Sequence, residues 1–301
     1  MRSIAEGLRF PEGPIAMADG SLLVVEIAAG CLTRITAAGA REVVAQVGGG
    51  PNGAAIGPDG RCYICNNGGF AWHERDGVLL PRGSAPDYKS GSIQAVDLKT
   101  GAVQLLYERC GEQPLNGPND IAFDAQGGFW FTDHGHTHAR SRDRGVIYYA
   151  QADGSSIREA VFPIDSPNGI ALSPDGGTLY AAETFSARIW AWDVTGPGQL
   201  AHAPRNLLGG TGRLVTGLGG FQLCDSMALD AEGNLHVASI PHGISVISPD
   251  GRLLAQLAMP ERIATNICFG GPQLRTAFVT LSSTGRVVAF ESRWPGAPLP
   301  F

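Results

Sequence analysis

Six places in the chain carry an oxygen-bearing side chain inside closely related phrases: Glu12 in FPEGP, Asn52 in GPNG, Asn119 in GPND, Asn168 in SPNG, Asp225 in LCDS and Asn266 in ATNI. Two carboxylates and four amides, brought to one axis, would present oxygen donors and nothing else. Hard divalent cations are bound this way: calcium takes about six to eight such oxygens, whereas structural zinc sites favour cysteine and histidine. One divalent ion is therefore expected, calcium first, with zinc, manganese or magnesium as the other candidates. For Asn52 and Asn266 a second reading stands, because asparagine also starts strands by bonding to nearby backbone. That reading does not cover Glu12, which has no such turn preference and sits between Pro11 and Gly13-Pro14.

The elements that must position these residues are written in the same repeat. The segments PEGPIAMADGSLLVVE, PNGAAIGPDGRCYICN, PNDIAFDAQGGFWFTD, PNGIALSPDGGTLYAAE, CDSMALDAEGNLHVAS and TNICFGGPQLRTAFVT each join two apolar runs, five of them through a turn rich in Asp, Gln, Glu and Gly. Such a phrase predicts a hairpin, since glycine or asparagine supplies the positive φ of a tight turn. A second pair of strands follows; in the fifth unit it is GISVIS, the turn Pro249-Asp250-Gly251 and RLLAQLAM. Four-stranded units recurring in this way predict an all-β, six-bladed β-propeller with four-stranded antiparallel blades, a single domain over 1–301. A β-sandwich would show as many short strands but no reason for the in-register phrase. The sixth unit runs out after GRVVAFE into proline-rich PGAPLP, so residues 2–9 are expected to supply its last strand and close the ring. The first strand of each blade lines the central channel, which sets the six marked side chains at one height. Wider spacing after Asn52, Asn119 and Asn168 places insertions, expected as loops, in the second, third and fourth blades.

Bulk properties exclude several partners. The net charge is −6, and the densest basic stretch, Arg140 to Arg144, is broken by Asp143, so nucleic acid is not an expected partner. No apolar run approaches the roughly 18 residues of a membrane span, and the start lacks an apolar signal core, which predicts a soluble cytoplasmic protein of open oligomeric state. The six cysteines are scattered and read as reduced thiols. Cys62 and Cys65 have CxxC spacing within a strand, where residues three apart face opposite ways, so a redox or zinc pair is not expected.

The phrases FPEGP at 10–14, GPND at 117–120 followed by FWFTD, SPNGIALSPDG at 166–176 and CDSMALDAEGNL at 224–235 together resemble the SMP-30/gluconolactonase/luciferin-regenerating-enzyme-like family over essentially the whole chain. The resemblance implies a six-bladed propeller and lactone hydrolysis with a divalent metal in the channel. Carried over residue by residue, it puts the metal ligands on Glu12, Asn168 and Asp225 and a substrate-side asparagine on Asn119. It further implies that the metal polarises the lactone carbonyl, that Asp225 acts as base toward water, and that Asn119 donates to the developing oxyanion. Gly117 stands where some sugar-lactone-hydrolysing members have arginine, which leaves a less polar or aromatic lactone, or another ester-like small molecule, as the substrate. Lyase, isomerase or phosphotriesterase chemistry on the same site, or a non-catalytic binding module with a structural metal, are the competing expectations. Asn52, in the ring, and His134 are expected to contact substrate. His134, His136 and His138 alternate after Asp133 and would share a face in an extended segment, as a second metal site would also require. The insertion at 66–90, with Trp72, His73 and Tyr88, is expected either to cap the channel mouth or to pack through Trp72 onto a blade.

Overall fold

The computed structural model describes residues 1–207 and 209–301. Its second strands explain the architecture. Leu22–Glu26, Cys62–Asn66 and Gly128–Asp133 are buried along their whole length, because both faces of each are covered by neighbouring sheets. The outer strands, such as Arg41–Gln46 and Val103–Tyr107, bury only a minority of residues and face solvent. A strand buried on both sides cannot alternate apolar with polar residues, which is why LLVVE and FWFTD are nearly continuous apolar runs.

Six sheets follow in chain order. Blade 1 holds Pro11–Ala16, Leu22–Glu26, Cys31–Ile35 and Arg41–Gln46. Blade 2 holds Pro51–Ile56, Cys62–Asn66, Ser92–Val96 and Val103–Tyr107. Blade 3 runs Pro118–Phe123, Gly128–Asp133, Gly145–Gln151 and Ile157–Ile164. Blade 5 runs Leu223–Leu229, Leu235–Ile240, Gly243–Ile247 and Leu253–Leu257. Blade 6 joins Ala264–Gly270, Thr276–Leu281 and Arg286–Glu291 to the N-terminal strand Arg2–Ala5. The core is the set of apolar seams between blades. Leu23, Val25 and Leu32 of blade 1 pack on Cys62, Ile64 and Val96 of blade 2, while Tyr63 and Cys65 pack on Phe123 and Phe129 of blade 3. Cys62 and Cys65 thus lie on opposite faces of their strand, each a small apolar residue in a different seam.

Two expectations about the insertions need correction. Residues 66–90 are not a loop: Phe70–Arg75 and Val78–Ser84 form a separate hairpin around Asp76-Gly77, a turn whose residues both take positive φ. Blade 4 (Pro167–Leu172, Thr178–Glu183, Arg188–Gly196) is five-stranded, since Gln199–Ala201 and Arg213–Gly217 pair with different lengths of its nine-residue third strand. A third strand that long has edge to spare for two partners. No helix among the described residues is long and apolar enough to cross a membrane.

Ring closure is carried by few residues. Arg2 pairs with Ala289 and Ser3 with Val288, after which Leu8 enters the seam formed by Leu22, Val24, Ile35 and Val287. Deleting residues 2–5 is expected to open the blade 6 edge and lower stability by on the order of 3 kcal/mol, read as a lower denaturant midpoint. An unchanged midpoint would mean that the propeller closes without this strand.

Candidate active site

Every channel strand is irregular at the marked position: the pairing register shifts between Glu12 and Ile15, Pro51 and Ala54, Pro118 and Ile121, Pro167 and Ile170, Cys224 and Met227, and Ala264 and Asn266. A bulge of this kind frees a residue from the ladder and re-aims its side chain. It also brings adjacent strands close. A Cβ on Gly53 would lie 2.4 Å from the carbonyl oxygen of Asn119, one on Gly13 2.7 Å from that of Asn52, and one on Gly169 2.7 Å from that of Asp225. The glycine of each Pro-Asx/Glu-Gly phrase is thus the place where one blade's backbone passes the next blade's marked residue.

In blade 3 that place is taken by Asp120, which the sequence reading missed. The signal was present: the fourth letter of the phrase is glycine in blades 1, 2 and 4 and aspartate only here. Asp120 is buried, and its carboxylate accepts from the backbone N–H of Ile121 at 3.0 Å and of Ile170 at 3.4 Å. Glu12 is buried as well; its Oε2 accepts from Gly13 N and from Asn266 Nδ2, each at 2.8 Å. Asn266 spends its Oδ1 on Ile267 N, so it positions Glu12 rather than offering a free oxygen. Asn168 donates through Nδ2 to Thr184 Oγ1 at 3.2 Å, and its Oδ1 accepts from Ser226 Oγ at 3.5 Å. Asn119 and Asn52 are buried, and Asn119 Oδ1 has no hydrogen-bond partner among the described residues.

The electrostatics of this group are unbalanced. Desolvation, followed by the charge of Glu12, raises Asp120 from 3.8 to about 7 and Asp225 well above its ordinary value. Desolvation also raises Glu12, against hydrogen bonds from Thr265, Asn266 and Gly13. None of the ion pairs among the described residues includes any of the three acids. Three close carboxylates without a counter-cation, beside an orphaned buried amide oxygen, are chemically suited to a hard cation. No three His, Cys, Asp or Glu side chains among the described residues form a metal-holding group by themselves, so such a site depends on amide oxygen too.

A second repeated residue braces the ring. Where the second strand of a blade ends, a polar side chain accepts from the segment leading into the channel strand: Glu26 from Arg9 N at 2.7 Å, Asn66 from Gly50 N at 2.8 Å, Glu183 from Asp165 N at 3.0 Å. Asp133 does so twice, accepting from Asn116 N and Gly117 N at 2.7 Å each, three and two residues ahead of Asn119. In blade 6 the polarity reverses and Ser282 Oγ donates to Pro11 O at 2.6 Å, beside Glu12.

The three histidines do not share a face, because the chain turns at Gly135 with a φ of 69°. His136 is buried: Nε2 donates between the carbonyls of Asn67 and Asn116, each at 3.2 Å, and Nδ1 accepts from Ser84 Oγ at 2.8 Å. It pins the inserted hairpin. His138 is exposed and pairs with Asp143 at 3.1 Å. His134, half-buried, sets its ring 5.7 Å from that of Phe185, and desolvation lowers it to about 4, so it is neutral at physiological pH. Trp72 packs the hairpin onto blade 1, 5.1 Å from Phe10, with Ile27 and Leu79 in the same cluster.

Fold and site together define a six-bladed propeller with an acidic, amide-rich axial site. The chain belongs to the SMP-30/Gluconolactonase/LRE-like family, whose model matches residues 10–283. It is 27% identical to a gluconolactonase of Zymomonas mobilis, an alignment covering 93% of this chain and 78% of that protein. It is likewise 27% identical to the lactonase drp35 of Staphylococcus saprophyticus, over 85% of this chain and 72% of that one. Among solved structures, a calcium-binding protein, regucalcin, from Agrobacterium tumefaciens aligns with a TM-score of 0.77 at 21% identity, over 100% of this chain and 97% of the other.

Two outcomes follow from this geometry. Gly53→Ala should cost about 1–3 kcal/mol, since the backbone of Asn119 and Asp120 must move, whereas Gly219→Ala, which meets nothing within 4 Å, should stay within about 0.5 kcal/mol of the parent in a denaturant melt. Because Asp120 is raised from 3.8 to about 7, the folded state keeps a proton that the unfolded chain releases across that window. Stability in chelator should therefore fall as pH rises between those values and level off above them, and Asp120→Asn should make the fall shallower. A slope of equal size in the variant would contradict the assignment.

Proposed function

We propose that this protein is a divalent-metal-dependent hydrolase that opens a lactone ring, with the cation held by Glu12, Asn168 and Asp225. The observation that carries this reading is the cluster of Glu12, Asp120 and Asp225, all raised by desolvation and the two aspartates also by the charge of Glu12, with no basic side chain among the described residues paired to any of them. An all-oxygen set favours calcium, and zinc, manganese and magnesium are separable from it by reconstitution. The bound ion supplies Lewis-acid polarisation of a carbonyl oxygen. Membership of the family, and likeness to a gluconolactonase and a drp35 lactonase, support a lactone as the small-molecule substrate.

The chain's own residues divide the remaining work. Asp225 keeps part of its surface open, unlike buried Glu12 and Asp120, so it is the acid that a water can reach. It takes a proton as the water oxygen bonds to the carbonyl carbon, and returns it to the ring oxygen as the carbon–oxygen bond breaks, leaving a hydroxy acid. Asn119 would donate through Nδ2 to the carbonyl oxygen as charge builds there, its Oδ1 being without a hydrogen-bond partner among the described residues. Asn52 on the neighbouring strand and neutral His134 at the rim contact the rest of the substrate. A covalent route through cysteine is disfavoured, because burial pushes Cys62 up to about 12 and Cys65 well above its ordinary value. The unpaired thiols suit a reducing compartment such as the cytoplasm.

Hydrolysis of a lactone panel with and without chelator, followed by calcium add-back, tests the reading. Chelation should abolish turnover reversibly, and Asp225→Asn should lower kcat by roughly 10²–10⁴-fold with the fold retained. Turnover that survives both changes would rule the mechanism out.

A further inference from the structure

We propose that the substrate carries an aromatic or extended apolar substituent, seated on Phe185 and Phe221 beside the acid cluster; this rests on the lactone-hydrolase reading and narrows its substrate class. Phe185 is 44% exposed and Phe221 75% exposed. Both hang from segments tied to the proposed ligands. Thr184, which precedes Phe185, accepts from Asn168 Nδ2 through its hydroxyl at 3.2 Å. Phe221 lies four residues before Asp225. The two segments are also joined to each other, Leu218 N donating to Ala187 O at 2.8 Å and Cys224 N to Thr184 O at 3.3 Å. Two phenyl groups left in water on linked loops forgo the stabilisation that covering them would bring.

Phe185 is held in place. The Arg142 guanidinium sits 4.4 Å over its ring and is itself fixed by Asp165 at 2.5 Å, while the neutral His134 ring meets it edge-on at 5.7 Å. With its charge already paired, Arg142 stiffens an aromatic platform and is poorly placed to collect an anionic substituent. The aromatics of the 66–90 insertion are otherwise engaged: Phe70 and Trp72 pack with Phe10, and the Tyr88 ring lies tilted against His136 at 4.3 Å. A Cβ on Gly117 would be 3.0 Å from the carbonyl oxygen of Gly135, and its N–H is bound to Asp133. No guanidinium fork for sorting sugar hydroxyls can grow from that position without moving the 133–136 turn. Phe185 and Phe221 remain as exposed apolar side chains on the two segments that carry Thr184 and Asp225.

The experiment compares three lactones with calcium-loaded enzyme: unsubstituted γ-butyrolactone, which reports the chemistry alone, glucono-1,5-lactone, and an aryl-fused or long-chain alkyl lactone. The expected result is highest kcat/KM on the apolar lactone, with Phe185→Ala and Phe221→Ala each lowering the ratio of apolar to unsubstituted kcat/KM by about tenfold, mainly through KM. Equal loss on all three lactones, or a wild-type preference for the sugar lactone, would overturn the inference while leaving lactone hydrolysis in place. Hydrolysis of none of them, with or without calcium, would overturn both.

Discussion

Repulsion among three desolvated carboxylates, two of them buried and one partly open, is the constraint around which the axial site is arranged. Glu12, Asp120 and Asp225 come from three different blades, and each raises or is raised by the charge of another in addition to the cost of leaving water. A lone buried carboxylate relieves that cost by taking a proton; a cluster can relieve it by sharing a cation. The propeller holds two of the acids by bonds within or across blades: Asp120 accepts from the backbone of Ile170, and Glu12 from the backbone of Gly13 and the side-chain amide of Asn266. Breaking the approach would require opening apolar seams as large as the one that joins Tyr63, Phe123, Phe129 and Phe131.

Precision at the axis comes from two repeated devices. Bulges in the channel strands release the marked residues from the ladder, and glycines at 13, 53 and 169 let adjacent strands pass within a distance that no side chain tolerates. Acids and amides at the ends of the second strands then hold the incoming segments. Asp133 is the clearest case, because its two oxygens take three backbone N–H groups and its desolvated carboxylate is opposed by those bonds. Buried polar groups fully satisfied by backbone in this way rigidify a site and specify one arrangement of it.

Much of this was legible in the sequence because the repeat is local. Each Pro-Asx/Glu-Gly phrase, turn and second apolar run specify one hairpin, and the phrase sets the marked side chain at a fixed height. That offset marks Glu12, Asn52, Asn119, Asn168, Asp225 and Asn266 alike. Asn266 shares the offset but serves Glu12, a distinction that depends on a contact between chain ends 254 residues apart. Asp120 was hidden because only its departure from glycine marks it. The bracing residues Glu26, Asn66, Asp133 and Glu183 stand at the end of the second apolar run in four units, yet their partners lie in other segments. The inserted hairpin carried its own turn, Asp76-Gly77, but its anchorage through Trp72 on Phe10 and His136 on Ser84 is tertiary. The exposure of Phe185 and Phe221 belongs to the folded surface and has no counterpart in the pattern of apolar residues.

Calorimetric titration of chelator-stripped protein with calcium tests the central claim most directly. The account predicts one saturable ion per chain, taken up with release of protons from the acid cluster, and at least about a hundredfold weaker binding in Glu12→Gln and in Asp225→Asn. Absence of saturable binding, or affinity unaltered in both variants, would contradict it.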